Sequence, residues 1–172
     1  VLSSGNNIPT YSLSTAGSGG STAWKDKTAA QILDDINGMC GYVSKQTKNI
    51  ERPDTLLLAA DVYMDISTRQ VPNTGYTVKK FILENAPYLK NIEPAAELDS
   101  DSEMNPYTSA LTPKAVAFLY TKSDRKFTIE HPMPFYQYPL QAKGLEIEVP
   151  CEARTAGAVI YYPLSALIAV GV

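Results

Sequence analysis

From Leu145 to Arg154 the chain alternates strictly. Leu145, Ile147, Val149, Cys151 and Ala153 fall on one side, and Glu146, Glu148, Pro150, Glu152 and Arg154 on the other. A period of two reads as a β-strand with one wet face and one apolar inner face. On this reading Cys151 is a small apolar residue of the inner face. No charged residue follows Arg154. That tail is expected to be buried on both faces, with a core strand over Ala158–Tyr162 that stops at Pro163. A membrane span fits it poorly, because Gly157, Tyr161, Tyr162, Pro163, Ser165 and Gly171 interrupt it.

Upstream the period changes to that of helices. Thr28 and Gln31 have capping-box spacing. Ile32, Leu33, Ile36, Met39, Cys40 and Val43 then form one apolar stripe, which predicts a helix to about Lys48. Cys40 on that stripe reads as a buried, inert thiol. Thr55–Ala59 suits a buried strand, and Asp61 is a good N-cap for a helix over Val62–Thr68. Thr77 caps a third helix that ends before Pro87. Further strands are expected at Tyr88–Ile92, Lys114–Thr121 and Lys126–Glu130. Pro132–Pro139 carries three prolines among aromatics and belongs on an edge or surface. Residues 1–24 read as a flexible polar segment, Arg69–Tyr76 and Leu98–Pro113 as polar loops. Helices precede strands, so the fold class is α+β.

Composition excludes several functions. The 172 residues carry a net charge of −3, so a protein that reads nucleic acid through phosphate contacts is disfavoured. Two cysteines and one histidine support neither a disulfide framework nor a zinc site. Gly20 is not followed by the lysine that a phosphate-binding loop needs. Asp99, Asp101 and Glu103 resemble a calcium loop, yet Met104 and Ala110 stand where glycine and glutamate are required. Asp34/Asp35 and Glu146/Glu148 are paired carboxylates, each read as a solvated face. His131 has no glycine-flanked serine to serve. No catalytic, cofactor or metal residue is assigned. Tyrosine is enriched, 11 against 4 phenylalanines and 1 tryptophan, as in surfaces that meet a partner.

The ending EVPCEARTAGAVIYYPLSA (Glu148 to Ala166) resembles the C-terminus of tailed-phage (prophage) major capsid proteins of the HK-type fold. Arg154, Ala156–Gly157, Val159–Ile160 and Tyr161-Tyr162-Pro163-Leu164 carry the likeness. PMPFYQYP (Pro132–Pro139), WKDKT (Trp24–Thr28) and RPDTLLL (Arg52–Leu58) resemble the same group in the same order. The resemblance implies an axial domain of a mixed sheet flanked by helices over 1–115, peripheral-domain strands over 116–149, and a return to the axial domain over 150–172. Val1–Pro9 resembles the place where the family's chain leaves its spine helix, so the N-terminal arm, extended loop and spine helix are expected to be absent here. The 172 residues alone are then expected to build no shells.

The resemblance further implies a virion protein, assembled in the bacterial host cytoplasm into an icosahedral shell around DNA. Its partners would be itself, as hexamers and pentamers, with a scaffolding protein, portal and maturation protease. Glu146, Glu148 and Glu152 become an exposed or inter-subunit stripe, and the acidic stretch Asn91–Pro113 a candidate lumen surface. An encapsulin-type compartment shell is the alternative within the fold. A small α+β enzyme using Asp34/Asp35 or His131 is the alternative of another class.

Overall fold

The computed structural model describes residues 6–107 and 114–172. In chain order its elements are β1 (Thr10–Tyr11), α1 (Ala29–Gln46), β2 (Thr55–Leu58), α2 (Ala60–Thr68), α3 (Val78–Asn85), β3 (Asn91–Pro94) and β4 (Val116–Tyr120). There follow β5 (Phe127–Glu130), β6 (Met133–Gln137), β7 (Gln141–Lys143), β8 (Glu146–Glu148), β9 (Cys151–Arg154), β10 (Gly157–Ile160) and β11 (Ala166–Val170). They form two compact units. The smaller is Ser123–Tyr161; the larger holds the described residues up to Lys122 together with Tyr162–Val172.

These limits differ from divisions at 115/116 and 149/150. Strand β4 pairs on both sides within the larger unit's sheet, and β9 and β10 belong to the smaller unit.

The larger unit is a five-stranded mixed sheet in the order β1-β11-β4-β2-β3. Strand β11 runs parallel to β1 and antiparallel to β4, and β2 runs antiparallel to β4 and parallel to β3. The central strands are apolar on both faces, as strands covered on both sides must be. Leu56, Leu58, Leu119, Leu167 and Ile168 are all buried, each contributing roughly 1.5–3 kcal/mol. The core strand therefore follows Pro163 instead of ending there. The chain before Pro163, β10, pairs with β5 in the smaller unit and is only half-buried.

Helix α1 begins as its capping box predicts: Thr28 accepts from the Gln31 N–H, and Gln31 accepts from the Thr28 N–H. Its stripe Ile32, Ile36, Met39, Cys40 and Val43 is buried. Thr77 likewise caps α3, accepting from the Lys80 N–H. Asp61 does not cap α2. The helix starts two residues earlier, at Ala60, and the Ala60 N–H donates to Asp99 Oδ1 at 2.6 Å from the distant loop. The strand expected at Tyr88–Ile92 lies at Asn91–Pro94, displaced by the turn after Pro87.

Residues 6–24 are not a loose tail. Strand β1 pairs with β11, while Leu13 and Trp24 are buried. The Trp24 and Lys25 carbonyls accept from Arg69 at 3.1 and 3.0 Å. The segment is fastened to α1 through one carboxylate. Asp35 Oδ2 accepts from Lys27 Nζ at 2.5 Å and Trp24 Nε1 at 3.1 Å, and Oδ1 accepts from the Ser14 N–H at 3.2 Å.

Gly38 of α1 faces the Tyr11 ring, which stands edge-on to Tyr42 with centroids 5.9 Å apart. A Cβ at Gly38 would collide with the Tyr11 hydroxyl. Gly38→Ala is thus expected to destabilise the protein by about 1–2 kcal/mol, overpacking outweighing alanine's better helix propensity. Adding Tyr11→Phe should recover most of the loss. Urea unfolding followed by the fluorescence of Trp24, the sole tryptophan, checks both variants.

Candidate assembly surface

The smaller unit is three two-stranded antiparallel ribbons: β5–β10, β6–β9 and β7–β8. The alternation from Leu145 to Arg154 is real but serves two strands. Pro150 has no N–H to give a ladder, and the chain breaks there into β8 and β9. Strand β8 pairs with β7 through the two-residue loop Gly144–Leu145, with Lys143 opposite Glu146. Gly144 sits at φ 67, the first central position of such a turn, where glycine carries no steric cost. Strand β9 pairs with β6, and the register shifts between Met133 and Tyr136, around Pro134. A bulge is where a ribbon tolerates proline.

Among the described residues the apolar side of that alternation is exposed. Leu145 is 106% exposed, Phe135 70%, Ile147 69% and Leu140 64%. Ile129, Tyr136, Tyr138, Val149 and Tyr161 are exposed as well. Cys151 is exposed, which corrects its place on an inner face. Single exposed apolar residues are ordinary, whereas this density over one ribbon unit is the kind found on surfaces that meet a partner. The aromatic part is preset. Tyr136 and Tyr138 meet edge to face at 5.0 Å between centroids. The Tyr138 hydroxyl donates to Glu152 Oε2 at 3.1 Å and the Tyr161 hydroxyl to Glu130. Those bonds to carboxylates hold both phenolic protons above the ordinary tyrosine range.

The polar candidates are placed as follows. Asp34 is exposed while Asp35 is buried, so the pair is not one solvated face; Asp35 is committed to Lys27. His131 is exposed, one residue beyond β5. Glu148 pairs with Lys143, and Glu152 with Arg154 at 2.8 Å. Among the described residues no group of three or more His, Cys, Asp or Glu could hold a metal ion. No helix among them is long and apolar enough to cross a membrane. Asp99 and Asn105 hydrogen-bond within and beyond the loop after Leu98, and 108–113 lie outside the described residues. Sequence reasoning missed Lys27 and Asn105, because neither stands in a periodic pattern.

The two thiols give a direct check of these placements. Burial pushes the Cys40 thiol up to about 11. At pH 8 only about one Cys40 in a thousand is then thiolate. A maleimide should modify Cys151 and leave Cys40 untouched until the protein is unfolded, as intact-mass measurement would read.

Comparison with known proteins agrees with this architecture. The family model described as major capsid protein matches residues 2–172. A solved chain from the capsid of Myoviridae phage XM1 superposes with a TM-score of 0.71 at 12% identity, covering 95% of this chain and 51% of that one. A virus-like particle chain from Pyrococcus furiosus gives a TM-score of 0.56 at 12% identity, covering 94% and 56%. The chain thus spans about half the length of the solved structures it matches. No curated protein matches the sequence. The mixed sheet with its helices and appended ribbons is the phage-capsid fold, and the chain belongs to the major capsid protein family.

Proposed function

We propose that this chain is part of a shell subunit of a tailed phage or prophage, its larger unit serving as the axial domain and its smaller unit as the peripheral domain. The observation that carries the proposal is the smaller unit's exposed apolar side chains, Phe135, Leu140, Leu145 and Ile147 above all. Side chains of this kind gain by leaving water, and neighbouring copies supply the cover. Heterologous contacts repeated around closed axes yield hexamers and pentamers. The loop between α2 and α3 suits a place near such an axis. It is closed by the Gln70–Thr77 bridge and the Val71–Tyr76 hydrogen bond, and its tip is exposed.

The role is mechanical, not enzymatic. The shell would enclose DNA in the virion after assembly in the host cytoplasm. Scaffolding protein, portal and maturation protease are the partners such a role requires. The encapsulin-type alternative is not favoured, because the matching family is that of major capsid proteins. The enzyme alternative loses Asp35 to a buried ion pair. Expression of the full-length protein, with scaffolding protein where needed, should give closed shells of uniform diameter by electron microscopy. Persistent monomers would overturn the proposal.

A further inference from the structure

We propose that copies of the larger unit dock head to tail, the acidic end of the sheet in one copy on the basic end of the sheet in the next. The inference rests on the shell reading and names one contact within it.

Strand directions define the two ends. Strands β2 and β3 start, and β4 finishes, at the same end, where Thr55 lies beside Asn91 and Tyr120. Asp54 gathers the chain there. Its carbonyl accepts from the Lys90 N–H at 2.8 Å, and its Oδ1 accepts from the Lys122 N–H at 2.9 Å. The end of α1 is tied to the same place, because Thr47 Oγ1 accepts from the Glu51 N–H at 3.1 Å. Lys45, Lys48, Arg52, Lys90 and Lys122 are all exposed at this end. The acids among them are Glu51, Asp54 and Glu93. Asp54 Oδ1 also accepts from the Thr55 hydroxyl at 3.1 Å, and Glu93 faces Lys122 at 3.8 Å. Glu84 of α3 faces Lys80 of the same helix at 3.9 Å. Lys45, Lys48 and Lys90 form no ion pair among the described residues, so positive charge is in excess. The end has apolar surface too. Ile50, between Lys48 and Arg52 in the chain, is 79% exposed, and Arg52 lies over the exposed Tyr88 ring at 5.6 Å.

The opposite end carries the reverse sign. Pro94 of β3 leads to Glu97, Asp99, Asp101 and Glu103, and no base stands between Asn91 and Tyr107. The groove beside this loop is balanced and does not offset them. Asp61 and Asp65 line it together with Lys25 and Lys114, and Asp65 faces Arg69 at 3.3 Å. Asp99 accepts from the Ala60 N–H, whereas Glu97, Asp101 and Glu103 are exposed and form no ion pair among the described residues. The loop is held by a different residue. Asn105 is buried, and its Nδ2 donates to the carbonyls of Asp99 and Lys114 at 3.0 and 2.9 Å. Met104 beside it is 74% exposed. A loop fixed in this way loses little further freedom on docking.

Each end thus combines exposed apolar side chains with charge of one prevailing sign, the makings of an interface core with a polar rim. Like ends repel and unlike ends attract, so charge selects head-to-tail pairing over a two-fold contact of identical ends. Two different patches on opposite ends make a heterologous contact, which each copy passes to the next around an axis.

The test uses shells of the full-length wild-type protein assembled from equal parts of unlabelled and heavy-nitrogen-labelled subunits. A carbodiimide joins carboxylates directly to amines, and mass spectrometry of the digest reads which residues are joined. The expected result is mixed-label crosslinks from Glu97, Asp101 or Glu103 to Lys45, Lys48 or Lys90, present in shells and absent from dissociated subunits. Closed shells that yield none of them overturn this contact and leave the shell reading standing. A wild-type protein that forms no shells overturns both. Independently, Lys48→Glu with Lys90→Glu should lower shell yield by about tenfold or more while the dissociated subunit melts at an unchanged temperature, and adding Asp101→Lys with Glu103→Lys should restore the yield. Normal shell yield from the first pair overturns the contact; if DNA packaging falls at the same time, the basic end serves nucleic acid instead.

Discussion

Replacing Asp35 by alanine destabilises the larger unit by about 3–5 kcal/mol, the range for breaking a buried ion pair by removing one partner. The Lys27 side chain is 0% exposed and the Asp35 side chain 2%. Without the carboxylate, a buried ammonium keeps no counter-charge. The Trp24 indole N–H and the Ser14 N–H also lose their acceptor. All three donors lie in the segment before α1, so the damage should spread from there to β1 and the edge of the sheet. Asp35→Asn with Lys27→Met is expected to recover much of the loss, because no charge is then buried alone and the amide oxygen can still accept. Urea unfolding read by Trp24 fluorescence separates these outcomes. A loss under 1 kcal/mol for Asp35→Ala would show that the carboxylate is not the fastening described.

Leu145→Asp with Ile147→Asp should do the opposite: leave the isolated chain as stable as before and abolish assembly. Both side chains are exposed on the β7–β8 ribbon, and exposed substitutions usually change stability by no more than about 0.5 kcal/mol. Burial against a neighbour would contribute roughly 1.5–3 kcal/mol for each. Losing both therefore weakens a subunit contact by two to four orders of magnitude, at about 1.4 kcal/mol per factor of ten. In a shell the deficit recurs in every subunit. Equal melting temperatures with no particles by sedimentation is the expected pair of readings. Wild-type particle yield from the double variant would remove these residues from the interface.

Local signals in the sequence were legible where one element decides them. The Thr28–Gln31 box, the α1 stripe and the Thr77 cap each depend on a few neighbouring residues, and each forms as read. The alternation from Leu145 marks β structure correctly but reads as one strand, whereas the chain breaks at Pro150 into two. What alternation does not carry is the identity of the partner. An apolar face covered by the same chain and one covered by another copy have the same pattern, so alternation alone puts Leu145, Ile147 and Cys151 inside. The side of Pro163 on which the core strand lies is hidden for a related reason. Both segments are apolar and uncharged, and only long-range pairing assigns β10 to β5 and β11 to β4. Asp35 reads as a pair with Asp34 because adjacency is visible in sequence, whereas its tie to Lys27, Trp24 and Ser14 depends on how the preceding segment crosses the helix. Asn105 was invisible for the same reason: it bridges the two ends of a loop.

The central claim is that the smaller unit's apolar side chains are interface in the mature particle. Hydroxyl-radical footprinting of the full-length protein, assembled and dissociated, measures this side chain by side chain. The account predicts that Phe135, Leu140, Leu145 and Ile147 are oxidised freely in the dissociated subunit and protected several-fold in the shell. Equal oxidation of these four residues in closed shells and free subunits would contradict it.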